Sequence, residues 1–237
     1  MKKGDLRRGE LLAAAEKLFY TNGYEKTSVQ DILTAVGFSK GGFYHHFDSK
    51  LSVLEAICEN RAREACEQAK AVVAEQEGAV NKLNALFHDA AFFSGGSTNF
   101  VALLIQVAYR EDGALMREKM KARQLEYMRG VLEEILAEGV KTQAFFVTDI
   151  PTSTQMILRL YMQFADDIAF LLAQGESEEK MMEGMVAKLR VYRTAIERVL
   201  VAPFGSIVLF DAKELQLLAQ DIMKRRLRER ADAMLGV

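Results

Sequence analysis

The chain has 237 residues, half of them hydrophobic, with 31 basic against 33 acidic side chains and a formal net charge of −2. That length and apolar content suit one large domain, or a small one joined to a larger one. With so little net charge, any nucleic-acid binding must come from a local patch rather than a global field. Two cysteines without a repeat spacing argue against a disulfide framework or a zinc site, and no apolar run reaches the ~18 residues of a membrane span.

Proline occurs only at Pro151 and Pro203, and β-branched alternation is nearly absent, so the chain is expected to be all-α. The N-terminus is basic, but Glu10, Glu16 and Lys17 interrupt what would have to be a signal-peptide core, which points to a cytoplasmic setting. The first helix is expected over Leu6–Asn22, with Leu11, Ala15, Leu18 and Phe19 on one face and Gly23 as its stop. Tyr24 is expected beneath the following helices as core. Lys2, Lys3, Arg7 and Arg8 suit either a phosphate-touching tail or a solvated end.

The stretch Ser28–Lys50 has helix-turn-helix grammar. Thr27 or Ser28 can cap a first helix, with Gln30 or Asp31 closing a capping box, and Ile32, Leu33 and Val36 form its apolar face. Gly37 stands where a helix C-terminus wants a left-handed residue. Ser39 then caps a second helix whose inward residues are Phe43 and Phe47. That helix carries Gly41 and Gly42 although each costs about 1 kcal/mol against alanine in a helix interior. Positions without side chains let a backbone approach another surface closely, here a DNA major groove. Around them Lys40, Tyr44, His45, His46 and Lys50 are donors suited to phosphates or base edges.

From Arg8 to about Ile57 the sequence resembles the DNA-binding domain of the TetR family of bacterial transcriptional regulators. The resemblance lies in the helix around Leu11–Phe19, Gly23-Tyr24, Thr27-Ser28-Val29, Asp31-Ile32, Gly37, the run Ser39 to Phe47, and Ser49-Lys50. It implies an N-terminal three-helix DNA-binding domain followed by a larger helical ligand-binding and dimerisation domain. On that division residues 1–50 bind DNA, a helix over 49–76 links the parts, and 51–237 bind the effector and dimerise. DNA contacts are expected from Thr27, Ser28, Lys40, Gly41, Gly42, Tyr44, His45, His46 and Lys50.

The linking helix shows Leu51, Leu54, Ile57, Cys58, Ala62, Ala65, Cys66, Ala69 and Val73 at helical spacing, and its two cysteines suit small buried hydrophobes better than a redox pair. Further helices are expected over Ala79–Phe93, Asn99–Tyr109, Ala114–Glu138, Thr152–Gln174, Glu176–Val201 and Asp211–Met234, with breaks near 94–97, 110–113, Gly139 and Pro151. No phosphate loop or His/Cys ligand spacing is present, and two of the three histidines sit beside the expected DNA surface. No enzymatic activity, metal or cofactor is therefore expected.

In 176–201, Met182, Leu189 and Ile196 recur every seven residues, as do Met185, Tyr192 and Val199, making an a/d seam. Helix 152–174 is apolar over most of its circumference. Together they are expected to pair with their twins in a homodimer, as the resemblance implies. The last helix continues beyond where many members of that family stop; it carries Leu215, Leu218, Ile222 and Met223 as a stripe and ends in Arg225, Arg226, Arg228 and Arg230.

Effector sensing comes only from the resemblance. Candidate effector-binding residues are His88, Phe92, Tyr109, Arg123, Tyr127, Arg159, Met162, Gln163 and Asp166, with Arg159 and Asp166 two turns apart as a buried pair. The expected function is a homodimeric repressor that binds a palindromic operator and is released by a small molecule. The alternative is a ligand-independent architectural or partner-recruiting DNA-binding protein on the same fold.

Overall fold

The computed structural model of the chain describes residues 3–89, 98–109, 113–174 and 177–235. Their secondary structure is helical, with no strand among the described residues: α1 (Lys3–Asn22), α2 (Val29–Val36), α3 (Lys40–Tyr44), α4 (Lys50–Ala74), α5 (Ala79–Asp89), α6 (Thr98–Val107), α7 (Ala114–Lys141), α8 (Ile150–Gln174), α9 (Glu178–Leu200) and α10 (Ala212–Leu235). The expected breaks at 94–97 and 110–112, and Phe93 at the expected end of the fifth helix, lie outside the described residues.

Most boundaries have local causes. Asp149 accepts from the Thr152 N–H at 2.7 Å, which lets Pro151 enter the first turn of α8, where its missing N–H costs nothing. Ser177 caps α9, and Asp211 accepts from the N–H groups of Lys213 and Glu214 at the start of α10. Gly139 does not break α7 as expected; the helix runs on to Lys141. The glycine is there for packing instead, since a Cβ would stand 2.0 Å from the Phe145 ring.

The chain divides into two compact units. The first comprises Met1–Arg61 and Asn99–Met120, the second Ala62–Thr98 and Lys121–Val237. In the first, Leu11, Ala15 and Phe19 of α1, Ile32 and Leu33 of α2, Phe43, Phe47, Val53 and Leu54 are buried together with Phe100, Val101 and Leu104 of α6. A polar knot ties three of its helices. Arg61 Nε and Nη2 donate to Glu16 Oε1 at 2.8 and 2.6 Å, the Tyr20 hydroxyl donates to the same oxygen at 2.6 Å, and the guanidinium lies 5.4 Å from the Phe100 ring centroid.

In the second unit α8 and α9 pack closely, helped by Gly184, whose absent Cβ would meet Leu171 at 3.2 Å. The apolar residues of α9 buried within the chain are Met181, Met185, Ile196 and Leu200, and Glu197 is buried with them. The other expected seam residues, Met182, Leu189, Tyr192 and Val199, are half-exposed in the single chain. Cys58 and Cys66 are both free and buried, and burial pushes both thiols up, away from the reactive thiolate.

Candidate nucleic-acid interface

The α2–α3 segment is built almost entirely from short-range bonds. Ser28 Oγ accepts from the Asp31 N–H at 3.1 Å while Asp31 Oδ2 accepts from the Ser28 N–H at 2.8 Å, a complete capping box. The Ser28 hydroxyl also donates to Asp31 Oδ2 at 2.7 Å, and that bond first, then the one from the Ser28 N–H, holds the Asp31 carboxyl below the usual carboxylate range. Gly37 closes α2 with φ of 65°, where a side chain would be strained. Ser39 Oγ then accepts from the Gly42 N–H at 3.2 Å and starts α3. Phe43 and Phe47, 0% and 5% exposed with ring centroids 6.0 Å apart, fix the short helix to the core.

What remains outward on α3 is Lys40, Gly41, Tyr44 and, just after it, His45; Tyr44 is 57% exposed. A Cβ on Gly41 would meet nothing within 4 Å, and one on Gly42 only the Ser39 hydroxyl at 3.4 Å, so this backbone lies open to a close-approaching surface. His46 is half-buried, its ring centroid 5.0 Å from that of His45. Ser28, at the start of α2, is exposed as well.

Two of the expected DNA-facing residues are placed differently. Thr27 is fully buried, and its hydroxyl donates to the carbonyls of Gly23 at 2.8 Å and Leu18 at 3.3 Å, so it holds the turn before α2 and presents nothing outward. The Lys50 ammonium donates to the Tyr24 carbonyl at 2.7 Å and lies 4.2 Å from the centroid of the Tyr24 ring. Burial, with the Glu25 and Glu55 charges, pushes the Tyr24 phenol up to about 12. Arg7 and Arg8, which sequence left between two roles, stack over Phe38 and Phe47 at 5.4 and 5.1 Å, placing two cations beside the helix-turn-helix. Their signal was the basic run before the first apolar face.

The described candidate effector residues have different surroundings. Tyr109 belongs to the first unit, where Arg117 stacks over its ring. Arg123 is exposed and paired with Glu126, Gln163 is exposed and donates to Asp167, and His88 faces Glu214 at 3.3 Å. Phe92 lies outside the described residues. Met162 is buried, and Tyr127 lines an open cleft of about 590 Å³ with Val73, Val131, Glu134 and Ile135. The expected Arg159–Asp166 pair is not formed: Arg159 is exposed, and Asp166, 6% exposed, takes Lys121 of α7 at 3.3 Å. The pairing crosses between helices, which spacing along a single helix cannot reveal. The second Asp166 oxygen, Oδ1, is buried without a hydrogen-bond partner.

Residues 11–57 match the family described as bacterial regulatory proteins, tetR family. The HTH-type transcriptional repressor KstR2 of Rhodococcus jostii is 49% identical over 51 residues, 22% of this chain and 25% of that protein. The HTH-type transcriptional regulator CymR of Pseudomonas putida is 31% identical over 128 residues, 54% of this chain and 62% of that one. The chain thus spans less than two thirds of the length of these curated relatives. Among solved structures, a TetR-family transcriptional regulator from Syntrophomonas wolfei superposes with a TM-score of 0.56 at 18% identity, covering 85% of this chain and 100% of that one. The FadR transcriptional regulator of Bacillus subtilis, solved with stearoyl-CoA, gives 0.53 at 20% identity, covering 82% and 98%. At these identities the likeness is one of fold.

Proposed function

We propose that this member of the TetR family of transcriptional regulators is a homodimeric repressor that binds a palindromic operator and is released by a small-molecule effector. The observation that supports the reading is the doubly capped α2–α3 pair, which closes its own helix starts and leaves Lys40, Gly41, Tyr44 and His45 exposed. Lys40, Gly41 and Gly42 are assigned to base edges, and Ser28, Tyr44, His45 and His46 to phosphates. Thr27 and Lys50 act by keeping the turn in place. Residues 1–50 are the DNA-binding part and 51–237 the effector-binding and dimerising part.

Dimerisation through 152–174 and 176–201 is supported by the apolar side chains that α8 and α9 leave outward in one chain, among them Met156, Phe170 and Val186 at 49%, 36% and 44% exposure. Two recognition helices about 34 Å apart would meet successive major-groove faces, and a coupling of about 1–3 kcal/mol would make effector release useful. Long-chain acyl-CoA is the first effector class to try, since one protein on this fold was solved with stearoyl-CoA.

The test is fluorescence anisotropy with DNA from upstream of the protein's own gene, titrated across salt and against competitor DNA. The expected result is tight binding of whole dimers to one inverted repeat, and Lys40→Ala relaxing base preference more than it lowers affinity for random DNA. Sequence-blind binding erased by salt would overturn the reading. Operator binding that no small molecule weakens would favour the ligand-independent alternative.

A further inference from the structure

The C-terminal helix is the element for which the family resemblance supplies no role. α10 packs on α9 and buries Leu215, Ala219 and Ile222. Its polar side chains reach four different helix ends. Glu214 faces His88 in the last turn of α5 at 3.3 Å. Asp221 Oδ2 accepts from the hydroxyl of Thr98, the first residue of α6, at 3.0 Å. Gln220 donates to Glu178 in the first turn of α9, and Arg226 donates to the Ala173 carbonyl in the last turn of α8, both at 2.8 Å. A carboxylate at the N-terminus of α6 and a guanidinium at the C-terminus of α8 also match the signs of the helix dipoles. One helix therefore fixes the ends of two separate connections.

Of those ends, the start of α6 bears on DNA binding. Two residues beyond Thr98, Phe100 lies under the Arg61 guanidinium, and Arg61 in turn holds Glu16 and Tyr20 of α1. α1 packs against α2, the first helix of the helix-turn-helix. We propose that α10 is a strap for operator binding, with Asp221 as a positioning residue. Through Thr98 it fixes the start of α6, and with it the Phe100–Arg61–Glu16 linkage behind the DNA-reading helices. With the strap in place the binding-competent arrangement is the populated one. When it is released, apparent affinity falls by the fraction of molecules in other arrangements. This inference rests on the operator-binding reading above.

The experiment compares operator affinity for the wild type, Asp221→Ala, Thr98→Val, the double variant and Asp221→Asn, across salt and with melting temperatures recorded. Loss of this one hydrogen bond is expected to weaken binding by up to about threefold, because the competent arrangement starts as the populated one. The double variant should bind no more weakly than either single one, because both remove the same bond. The log–log salt slope should stay unchanged, since no phosphate contact is lost. Asp221→Asn should bind more tightly than Asp221→Ala, because its amide oxygen can still accept from Thr98 although the charge at the α6 N-terminus is gone. Unchanged affinity in both single variants, additive losses, or Asp221→Asn binding no more tightly than Asp221→Ala would each overturn the strap. A wild-type protein that binds no inverted repeat would overturn the operator reading instead, and that is seen before any variant is made.

Discussion

Two regions of the molecule satisfy their polar groups by opposite means. In α2 and α3 every bond that shapes the segment closes within a few residues: Ser28 with Asp31, Gly37 back onto Leu33, Ser39 with Gly42. Its ties to the rest are apolar, through Ile32 and Leu33 of α2 and through Phe43 and Phe47. In the second unit the bonds run between helices. Lys121 of α7 reaches Asp166 of α8, and Lys188 and Tyr192 of α9 reach Asp167. Glu197 accepts from the N–H groups of Gly205 and Ile207 in the connection to α10. A locally closed element keeps its shape while its outward residues change, which suits a surface that must read different DNA sequences. A cross-braced one depends on where each helix stands.

The comparison implies that the first region should fail through its apolar anchors and the second through its polar ones. Phe43→Ala removes a fully buried ring from a helix of five residues and is expected to destabilise the first unit by about 3–5 kcal/mol, measured by urea denaturation. Lys121→Met leaves the buried Asp166 carboxylate without its cation. It should cost about 2 kcal/mol, below the full figure for a buried pair because Lys121 is partly exposed. The double variant Lys121→Met/Asp166→Leu should recover most of that loss, since an apolar pair of similar volume carries no desolvation penalty. If Lys121→Met proved harmless, or the double variant worse than the single, the second region would not be braced as described.

The same contrast explains what was legible in the sequence. Capping boxes, the left-handed Gly37 and the inward phenylalanines are written in adjacent residues, so the helix-turn-helix could be placed to within a residue or two. In sequence Thr27 reads as outward because a hydroxyl before a helix looks like a cap; nothing local shows that its partners are the carbonyls of Leu18 and Gly23. Lys50 reads as a phosphate donor because the partner that holds it, Tyr24, lies 26 residues away. Asp166 reads as a partner of Arg159 on its own helix because Lys121 sits 45 residues upstream, on a helix whose rotation periodicity alone does not set. The sequence exposes short-range bonds and apolar stripes, while cross-helix polar pairing depends on helix rotation and register.

The smallest expected effect tests the second region by pH. Burial pushes the Asp167 carboxyl up, but hydrogen bonds from Lys188, Gln163 and Tyr192, with the Lys188 charge, outweigh it and hold the group below the usual carboxylate range. The folded state therefore binds this proton less readily than the unfolded chain. The stabilisation is complete above the unfolded value of about 4 and is lost as pH falls through the folded value. Asp31 and Asp149 are also lowered, so acid sensitivity is shared, and only a difference between proteins isolates Asp167. Asp167→Asn should be less stable than wild type at neutral pH, and the gap should narrow steadily below about pH 4 in urea titrations. A gap that stayed constant with pH would mean that the Lys188–Asp167 bond acts as an ordinary hydrogen bond with no charge contribution. Of the two α8 carboxylates, only Asp166 would then owe its bracing to charge.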